Sequence, residues 1–289
     1  MSLRNKKLFL LDMDGTLYLS DRLFDGTLDL LGYIRRIGGR AIYMTNNSSR
    51  GVDGYIRRMA GFGIEAAPED FVTSTDATIA YLKDHFDPRT RFYVCGTESL
   101  KAQLRSAGLQ LSEHALEGEE QAAAGTAGMA GSLADAPAAA DVLLLGYDTE
   151  LTYRKLEDCC ILLNRGVPYI ATHPDLVCPV WYGGAPDCGS VINMLETATG
   201  RRPVVIGKPQ PAMALLAMER TGFSKEETVV VGDRVYTDIA CGVNAGVDTI
   251  FVLSGEGVPS DIEKYGVQPA YIYENIREVV NDLEKEKSL

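Results

Sequence analysis

Short apolar runs along the chain alternate with longer stretches that place an apolar residue at every third or fourth position. Residues 8–11, 41–44 and 229–231 form continuous apolar runs, which is typical of strands that are buried on both faces. Between the first two runs, residues 28–37 have the spacing of one apolar helix face. Strands that alternate with helices in this way predict βαβ units and a mostly parallel sheet.

Two carboxylates follow the first of these runs. Residues 8–11 lead into Asp12, Asp14 and Gly15, and side chains two apart on an extended chain point to the same side. Asp12 and Asp14 are therefore expected to face one small volume at the carboxyl end of a strand, where open α/β sheets bind ligands. Two like charges so close are costly without a cation or a shared proton. The alternative is an acidic, solvated turn in which Gly15 supplies the bend.

Polar side chains also follow three further apolar runs. Thr45 and Asn46 come after residues 41–44, Lys208 comes after 204–206, and Asp233 and Asp238 come after 229–231. Each has a structural interpretation, because threonine, asparagine and aspartate commonly cap helices or turns and a lysine is commonly exposed. Each structural interpretation is plausible for one residue by itself, but it is much less credible that four apolar runs should all end in polar side chains by chance. The pattern predicts one shared site at one edge of a sheet.

A second α/β unit is predicted inside the first. A new strand and helix begin near residue 91, and the glycine-rich residues 182–185 are predicted to be the linker that returns to the first unit. Residues 115–140 are rich in alanine and glycine, which predicts a loop or a weakly ordered insertion, with a short alanine-rich helix as the alternative. The predicted division is a core of 1–83, an inserted cap of 84–181, and a second core segment of 182–289.

The charge of the chain restricts its partners. With a net charge of −12 over 289 residues, the protein is not expected to bind nucleic acid, which requires dense positive patches. The pairs Arg57–Arg58 and Arg201–Arg202 are interpreted as solvated helix or turn positions.

Membrane insertion and metal fingers are not expected either. The apolar run that follows Lys7 is too short for a signal peptide, and no stretch approaches the roughly 18 apolar residues of a membrane span. The six cysteines form no CxxC pair, and the adjacent Cys159 and Cys160 are predicted to be packing residues of a helix. A reducing cytoplasm fits this cysteine pattern best.

Four motifs now stand in order along the chain. They are DxDGT at residues 12–16, the hydroxyl of Thr45, Lys208, and GDRxxTD ending at Asp238. Together they resemble the haloacid dehalogenase superfamily of aspartate-dependent phosphatases. The size and location of the insertion are similar to the subgroup of NagD-like and p-nitrophenyl phosphatases (subfamily IIA), which carries a large C2-type cap. The resemblance implies an α/β fold with a Rossmann-like, doubly wound parallel-sheet core and an inserted α/β cap domain.

The resemblance also implies a reaction, namely Mg²⁺-dependent hydrolysis of small phosphomonoesters through an aspartyl-phosphate. Asp12 would be the nucleophile, and Asp14 would be the general acid and base. Mg²⁺ would be held by Asp12, the backbone carbonyl of Asp14, and Asp233, and Asp238 would orient the surroundings of the metal.

Further residues would hold the phosphate and the rest of the substrate. Lys208, Thr45, Asn46 and Asn47 would bind phosphoryl oxygens. His173 and Asp175 lie where the family carries substrate-contacting residues, although family members often have Asn or Asp in place of His173. A turn fixed by Pro174 is the alternative for this segment.

Two other function classes stay open at this point. A phosphotransferase or mutase would keep the same carboxylate pair but normally carries a smaller cap after the first motif, and the stretch between Asp14 and Thr45 is short for that. A non-catalytic phosphoryl-accepting module also uses Asp, Thr and Lys at strand ends, but it needs neither Asp14 nor a large insertion. The expected partner is a small phosphorylated metabolite whose identity stays open, and a homodimer stands beside a monomer as the oligomeric state.

Overall fold

The structure is a computed structural model that describes residues 3–117, 136–180 and 182–285. Its strands, numbered in chain order, are β1 Leu8–Leu11, β2 Tyr18–Leu19, β3 Arg22–Leu23, β4 Arg40–Thr45, β5 Phe71–Thr73, β6 Arg91–Cys95, β7 Gln110–Ser112, β8 Val142–Leu145, β9 Tyr169–Ala171, β10 Val177–Val180, β11 Gly183–Pro186, β12 Val204–Val205, β13 Thr228–Gly232, β14 Asp248–Val252 and β15 Tyr271–Tyr273. Its α-helices are α1 Thr27–Arg36, α2 Asp53–Gly61, α3 Ser74–His85, α4 Glu98–Ser106, α5 Tyr153–Asn164, α6 Cys188–Thr199, α7 Ala212–Thr221, α8 Ala240–Ala245, α9 Ser260–Tyr265 and α10 Ile276–Lys285.

The chain divides into two compact units, and the second is inserted into the first. The first unit comprises Met1–Thr45, Val52–Ala77 and Gly207–Leu289. The second comprises Asn46–Gly51 and Thr78–Ile206. These bounds differ from the predicted cap of 84–181, chiefly because the second unit continues beyond position 181 to Ile206.

The sheet of the first unit is parallel throughout, with the strand order β15–β14–β13–β1–β4–β5. This is the doubly wound order of Rossmann-like folds, in which the chain reverses direction across the sheet beside the first strand. The reversal lies between β1 and β13, where Leu11 pairs with Val231. The predicted fold class is confirmed, and folds of this order generally bind ligands at the carboxyl ends of the strands beside the reversal, which here are β1 and β13.

Burial explains why these residues form central strands. All four residues of β1 have 0% exposure, and β13 is buried along its whole length. A strand buried on both faces needs helices on each side of the sheet. One of these layers includes α1 and α10, whose side chains Leu30, Ile34, Val279 and Leu283 share a core cluster with Phe9 of β1. Fully burying a leucine contributes about 1.5–3 kcal/mol, so this core fixes the strand that precedes Asp12.

The second unit has its own parallel sheet, in the order β12–β9–β8–β6–β7, together with the antiparallel hairpin β10–β11. Two sequence predictions are corrected here. Residues 182–185 were predicted to be a linker, but Gly183–Pro186 is strand β11 and pairs with β10. Val204–Val205 was predicted to restore the first sheet, but Val204 pairs with Ile170 of β9. A short apolar run specifies a strand and not the sheet it joins, because pairing partners are distant in sequence.

The segment that follows β4 is built into the second unit. The Ser48 hydroxyl lies 3.1 Å from that of Thr172 and accepts a hydrogen bond from the Tyr147 backbone N–H at 2.9 Å. The Thr97 hydroxyl donates to the backbone carbonyl of Ser49 at 2.9 Å. Residues 46–51 therefore leave the first unit immediately after Thr45, a change that the sequence pattern does not reveal.

The alanine-rich segment 115–140 falls mostly outside the described residues. Its two described ends are joined by an antiparallel bridge between Leu116 and Ala138, and Ala115 and Ala140 are buried. The predicted loop or helix at 118–135 lies outside the described residues.

All six cysteines are free thiols, and Cys159 is buried in α5, so the predicted packing role holds. Within the segments that the structure describes, no helix has both the length and the apolar character to cross a membrane.

Candidate active site

Three carboxylates converge at the edge of the sheet where its order reverses. Asp12 directly follows β1, and its backbone N–H donates to the carbonyl of Val231 in β13 at 2.9 Å. Asp233 directly follows β13, and Asp238 follows within a π-helical turn, Val235–Ile239. Carboxylate oxygens of Asp12, Asp233 and Asp238 lie within 4.8 Å of one another. The predicted convergence of polar groups is thus found for these three residues.

Lys208 places a buried cation in this cluster. Its Nζ donates to Oδ1 of Asp12 at 2.5 Å and to Oδ1 of Asp238 at 2.6 Å, and it reaches the Met44 carbonyl at 3.4 Å. The side chain is 4% exposed. The prediction that Lys208 follows a strand of the first sheet is wrong. Lys208 lies in the turn before α7, and the preceding strand β12 belongs to the sheet of the second unit. Lys208 is therefore at the predicted site, but a turn positions it there and not the end of a strand of the first sheet.

Asp238 is held at both of its carboxylate oxygens. Lys208 donates to Oδ1, and the backbone N–H of Arg234 donates to Oδ2 at 3.2 Å. The π-helical turn brings Asp238 back to the end of β13, where its Cβ packs on Gly232 so closely that a Cβ on that glycine would lie 2.2 Å away. Asp238 is therefore fixed in place by the chain itself.

Asp233 sits in a cradle that two glycines make possible. Its Oδ2 accepts a hydrogen bond from the Glu256 backbone N–H at 2.8 Å, and the Thr16 hydroxyl lies 3.4 Å from Oδ1. A Cβ on Gly15 would lie 2.5 Å from Oδ2, and one on Gly255 would lie 2.0 Å from it. Gly15 also has φ +88°, a conformation that disfavours other residues. The glycine of the first motif is thus required by the close approach of Asp233.

The cluster carries more negative charge than its lysine offsets. Burial raises the pKa of Asp12 well above its usual range, and the neighbouring Asp238 adds to this rise although Lys208 opposes it. Burial, with the charge of Asp238, raises the pKa of Asp233 to about 6. Burial by itself would lower the pKa of Lys208, but Asp12 and Asp238 outweigh it, so the pKa is raised and the ammonium stays charged. Clustered carboxylate oxygens with uncompensated charge fit a hard divalent cation.

The Asp14 carboxylate lies apart from this cluster within the described residues. Strand β1 ends at Leu11, so residues 12–14 do not continue its alternation. The Asp14 side chain is 57% exposed, and its Oδ1 lies 3.8 Å from Nη1 of Arg58. The prediction that Asp12 and Asp14 face one small volume is therefore wrong in this structure, because the chain leaves strand geometry after Leu11 and the Asp14 carboxylate lies beside Arg58.

The remaining predicted residues divide between the two units. Thr45 ends β4 at the same edge of the first sheet, two residues beyond the Tyr43 that pairs with Leu11. Asn46 belongs to the second unit, where its Nδ2 donates to Oδ1 of Asp175 at 3.0 Å. Oδ1 of Asn47 accepts hydrogen bonds from the backbone and hydroxyl of Ser49.

His173 is fully buried in the second unit. Its Nδ1 lies 3.7 Å from Asp175 and its Nε2 lies 3.7 Å from Asp187. Both ring nitrogens lack a hydrogen-bond partner among the described residues. In this structure the imidazole thus lies buried near both Asp175 and Asp187, and it does not face solvent.

Sequence reasoning missed several groups at the site. Arg58 was interpreted as solvated, but it approaches Asp14 and is only partly exposed. Its position three residues after the buried Tyr55 in α2 could have indicated that it shares the inward face of the helix. The backbone N–H groups of Arg234 and Glu256 carry no sequence signal, because any residue but proline offers one.

A doubly wound parallel sheet with a buried aspartate–lysine cluster at its reversal point defines an α/β enzyme of the ligand-binding Rossmann type. Comparisons with known proteins identify the family. A model described as "Haloacid dehalogenase-like hydrolase" matches residues 9–110, and a second model for HAD-hydrolase-like proteins matches residues 205–279.

Individual relatives match over nearly the whole chain. An acid sugar phosphatase of Staphylococcus aureus is 30% identical over 285 residues, covering 98% of this chain and 100% of the relative. The crystal structure of a 4-nitrophenylphosphatase from Thermotoga maritima is 36% identical with a TM-score of 0.84, covering 97% of this chain and 98% of that one. A glycerol phosphate phosphatase from Mycobacterium tuberculosis, crystallised with magnesium, is 27% identical with a TM-score of 0.83, covering 98% of this chain and 79% of that one.

The chain belongs to the haloacid dehalogenase-like hydrolases. Within them it is a phosphatase of the NagD-like and p-nitrophenyl phosphatase group. The family resemblance inferred from the four motifs is confirmed, and a non-catalytic phosphoryl-accepting module is excluded.

The cradle around Asp233 gives a first prediction. Gly15→Ala is expected to lower the rate of phosphate release about 100-fold, because the new Cβ displaces Asp233 and small displacements at a reacting site cost about that much. Gly38→Ala is the matched control, since Gly38 also has a positive φ but a Cβ there would meet nothing within 4 Å in the described structure. Both substitutions carry a similar backbone strain of about 1–2 kcal/mol. Equal rates for the two variants would contradict the steric role of Gly15.

Proposed function

We propose that this phosphatase hydrolyses small phosphomonoesters with Mg²⁺, through an aspartyl-phosphate formed on Asp12. The observation that carries the proposal is the geometry of Asp12. One of its oxygens contacts the buried ammonium of Lys208 at 2.5 Å, and its carboxylate lies within 4.8 Å of Asp233 and Asp238. An ionised carboxylate can attack phosphorus without a base to activate it, and the ammonium of Lys208 favours the ionised form of Asp12 by opposing the rise of its pKa.

The reaction proceeds in two displacements at phosphorus. In the first, a carboxylate oxygen of Asp12 forms a bond to phosphorus while the bond to the ester oxygen breaks, and Asp14 gives its proton to the departing alcohol. In the second, Asp14 takes a proton from a water molecule that attacks the aspartyl-phosphate, which releases phosphate and restores Asp12. Lys208, Thr45 and the backbone N–H of Asn46 bind the phosphoryl oxygens on which charge develops.

The metal would be held by Asp12, by the backbone carbonyl of Asp14, and by Asp233. Asp238 would orient this arrangement from outside it, because Lys208 and the Arg234 backbone already engage its two oxygens. When bound, Mg²⁺ supplies positive charge that offsets the negative charge of the phosphoryl group and of the carboxylates. The magnesium complex of the mycobacterial relative supports this choice of ion.

Residues of the second unit are proposed to recognise the substrate. Asp175 holds the side chain of Asn46, so it acts on the residue whose backbone is proposed to bind phosphate. His173 would act through Asp175, because it is buried beside that carboxylate. Asn47 shapes the same turn through its hydrogen bonds to Ser49.

The substrate class follows from the relatives only in outline. Their names specify sugar phosphates, 4-nitrophenyl phosphate and glycerol phosphate, which share a phosphomonoester on a small organic group. Transfer of the phosphoryl group to a sugar is the alternative reaction. It would yield a new sugar phosphate in place of free phosphate, so product analysis separates the two.

Removal of the metal tests the proposal directly. Purified enzyme with p-nitrophenyl phosphate is expected to lose phosphate release when a chelator is added and to regain it when Mg²⁺ is restored in excess. Asp233→Asn is expected to require more Mg²⁺ for half-maximal rate, since it removes one ligand charge. Turnover that a chelator leaves unchanged would refute the metal assignment.

A further inference from the structure

We propose that Arg58 is a positioning residue for Asp14, an inference that rests on the proposed function because it assigns Arg58 to the general-acid step. Arg58 lies on α2 and touches three parts of the loop that carries Asp14. Its Nη1 lies 3.8 Å from Oδ1 of Asp14, and its Nη2 donates to the carbonyl of Ser20 at 2.5 Å. Its guanidinium carbon lies 4.4 Å from the centre of the Tyr18 ring.

The loop that Arg58 contacts, residues 13–23, is held together by its own hydrogen bonds. The Met13 carbonyl accepts a hydrogen bond from the Leu17 N–H at 2.8 Å, and the Gly15 N–H donates to the Tyr18 carbonyl at 2.8 Å. Beyond this turn, Tyr18 pairs with Leu23 in the hairpin β2–β3. Asp14 lies inside the turn, so contacts at Tyr18 and Ser20 also fix the backbone from which the Asp14 carboxyl projects.

Packing against the core fixes the position of the Arg58 guanidinium. Tyr18 is 1% exposed and packs against Phe62, with ring centres 5.2 Å apart, so the ring beneath the guanidinium is itself part of the core. The Nε of Arg58 is buried with no hydrogen-bond partner among the described residues. A buried donor without a partner is costly, which indicates that the other contacts determine where the guanidinium lies.

The distance between Arg58 and Asp14 determines how the two side chains interact. At 3.8 Å the two atoms are farther apart than in a hydrogen bond, so Arg58 attracts the carboxylate without tying it into a short bidentate pair. A planar guanidinium can hold the Ser20 carbonyl, stack on Tyr18 and face Asp14 together, whereas a lysine ammonium offers no planar fork. Arg58 is therefore placed to aim the Asp14 carboxyl and takes no part in bond making itself.

Two substrates of similar size test this role, because they differ in their need for an acid. p-Nitrophenol leaves readily as an anion, whereas phenol is a much weaker acid and needs a proton as it departs. Arg58→Ala is expected to lower kcat/KM for phenyl phosphate about 10- to 100-fold. It is expected to lower kcat/KM for p-nitrophenyl phosphate less than about threefold.

Three further variants complete the experiment. Asp14→Asn is expected to lower kcat/KM for phenyl phosphate about 10²–10⁴-fold, and to lower it more for phenyl phosphate than for p-nitrophenyl phosphate, as Arg58→Ala does. Arg58→Lys is expected to fall between wild type and Arg58→Ala. Arg57→Ala is the matched control, since Arg57 is the exposed neighbour on the same helix, and both of its rates are expected to stay near wild type.

Each outcome decides the matter. A selective loss on phenyl phosphate with an unchanged thermal unfolding midpoint supports the positioning role. Equal losses on both substrates, or no loss on either, overturn it, because a merely structural arginine does not distinguish leaving groups. If the wild type releases phosphate from neither substrate, the proposed function itself fails and this inference falls with it.

Discussion

Asp12→Asn is expected to abolish phosphate release, with a residual rate below about 10⁻⁵ of wild type, because removal of a covalent nucleophile costs about that much in other hydrolases. The asparagine side chain has nearly the same shape but a far weaker nucleophilic oxygen. The fold should persist, since the change removes one of three carboxylates that lie within 4.8 Å of one another. Burial raises the pKa of Asp12, so the ionised carboxylate is disfavoured in the folded protein and its removal is not expected to lower the stability of the fold.

The measurement has two parts. Initial rates with p-nitrophenyl phosphate report turnover, and acid-quenched samples of both proteins are analysed by intact mass for a covalently bound phosphoryl group. Wild type is expected to show the adduct and the variant to lack it. Asp21→Asn, at an exposed position of the β2–β3 turn, is the matched control and should behave as wild type. A turnover rate within tenfold of wild type in Asp12→Asn would remove Asp12 as the nucleophile.

Lys208→Met is expected to lower kcat about 10²–10³-fold, even with Mg²⁺ in excess, because a single fixed donor at a developing charge is worth about that much. Lys208 also compensates two carboxylates at once, with Nζ 2.5 Å from Asp12 and 2.6 Å from Asp238. Its removal leaves those carboxylates facing each other in a buried setting, and breaking a buried ion pair costs about 3–5 kcal/mol. The variant is therefore expected to unfold at a lower temperature as well.

A double variant separates the loss of stability from the loss of catalysis. Lys208→Met with Asp238→Asn removes one of the uncompensated carboxylates, so the thermal unfolding midpoint should recover part of its fall. The rate should not recover, because the ammonium beside Asp12 is still missing. Lys225→Met, at an exposed position before β13, is the matched control. Near-normal rates in Lys208→Met, or rates that recover together with stability, would show that Lys208 acts only through folding.

Much of the first unit could be predicted from local pattern. The run Leu8–Leu11 is apolar throughout, and such a run can be satisfied only between two covered faces of a sheet, where the structure places it. Asp12 and Asp233 were found because each directly follows a buried strand, and the ends of parallel strands share one edge. Four motifs in fixed order then indicated the family, which the comparisons confirm.

Other assignments failed because they depend on partners far away in sequence. Val204–Val205 has the composition of a core strand, yet it pairs with β9 of the second unit. Gly183–Pro186 has the composition of a linker, yet it pairs with β10. Arg58 is of a residue type that is usually exposed, yet it contacts Ser20 and Tyr18. In each case residue type alone left two environments open, and packing between distant segments chose one of them.

The sequence by itself determined the alternation of strands and helices, the family, and the residues proposed to carry the chemistry, because each is encoded in hydrophobic period or in motif order. Only the tertiary structure decided how those residues are held. It showed that Lys208 reaches Asp12 from a turn, that Asp238 is engaged at both oxygens, and that Asp14 stands apart beside Arg58. These facts are distances between side chains on separate elements, and such distances are set by how the elements pack against one another and not by the order of residues within each.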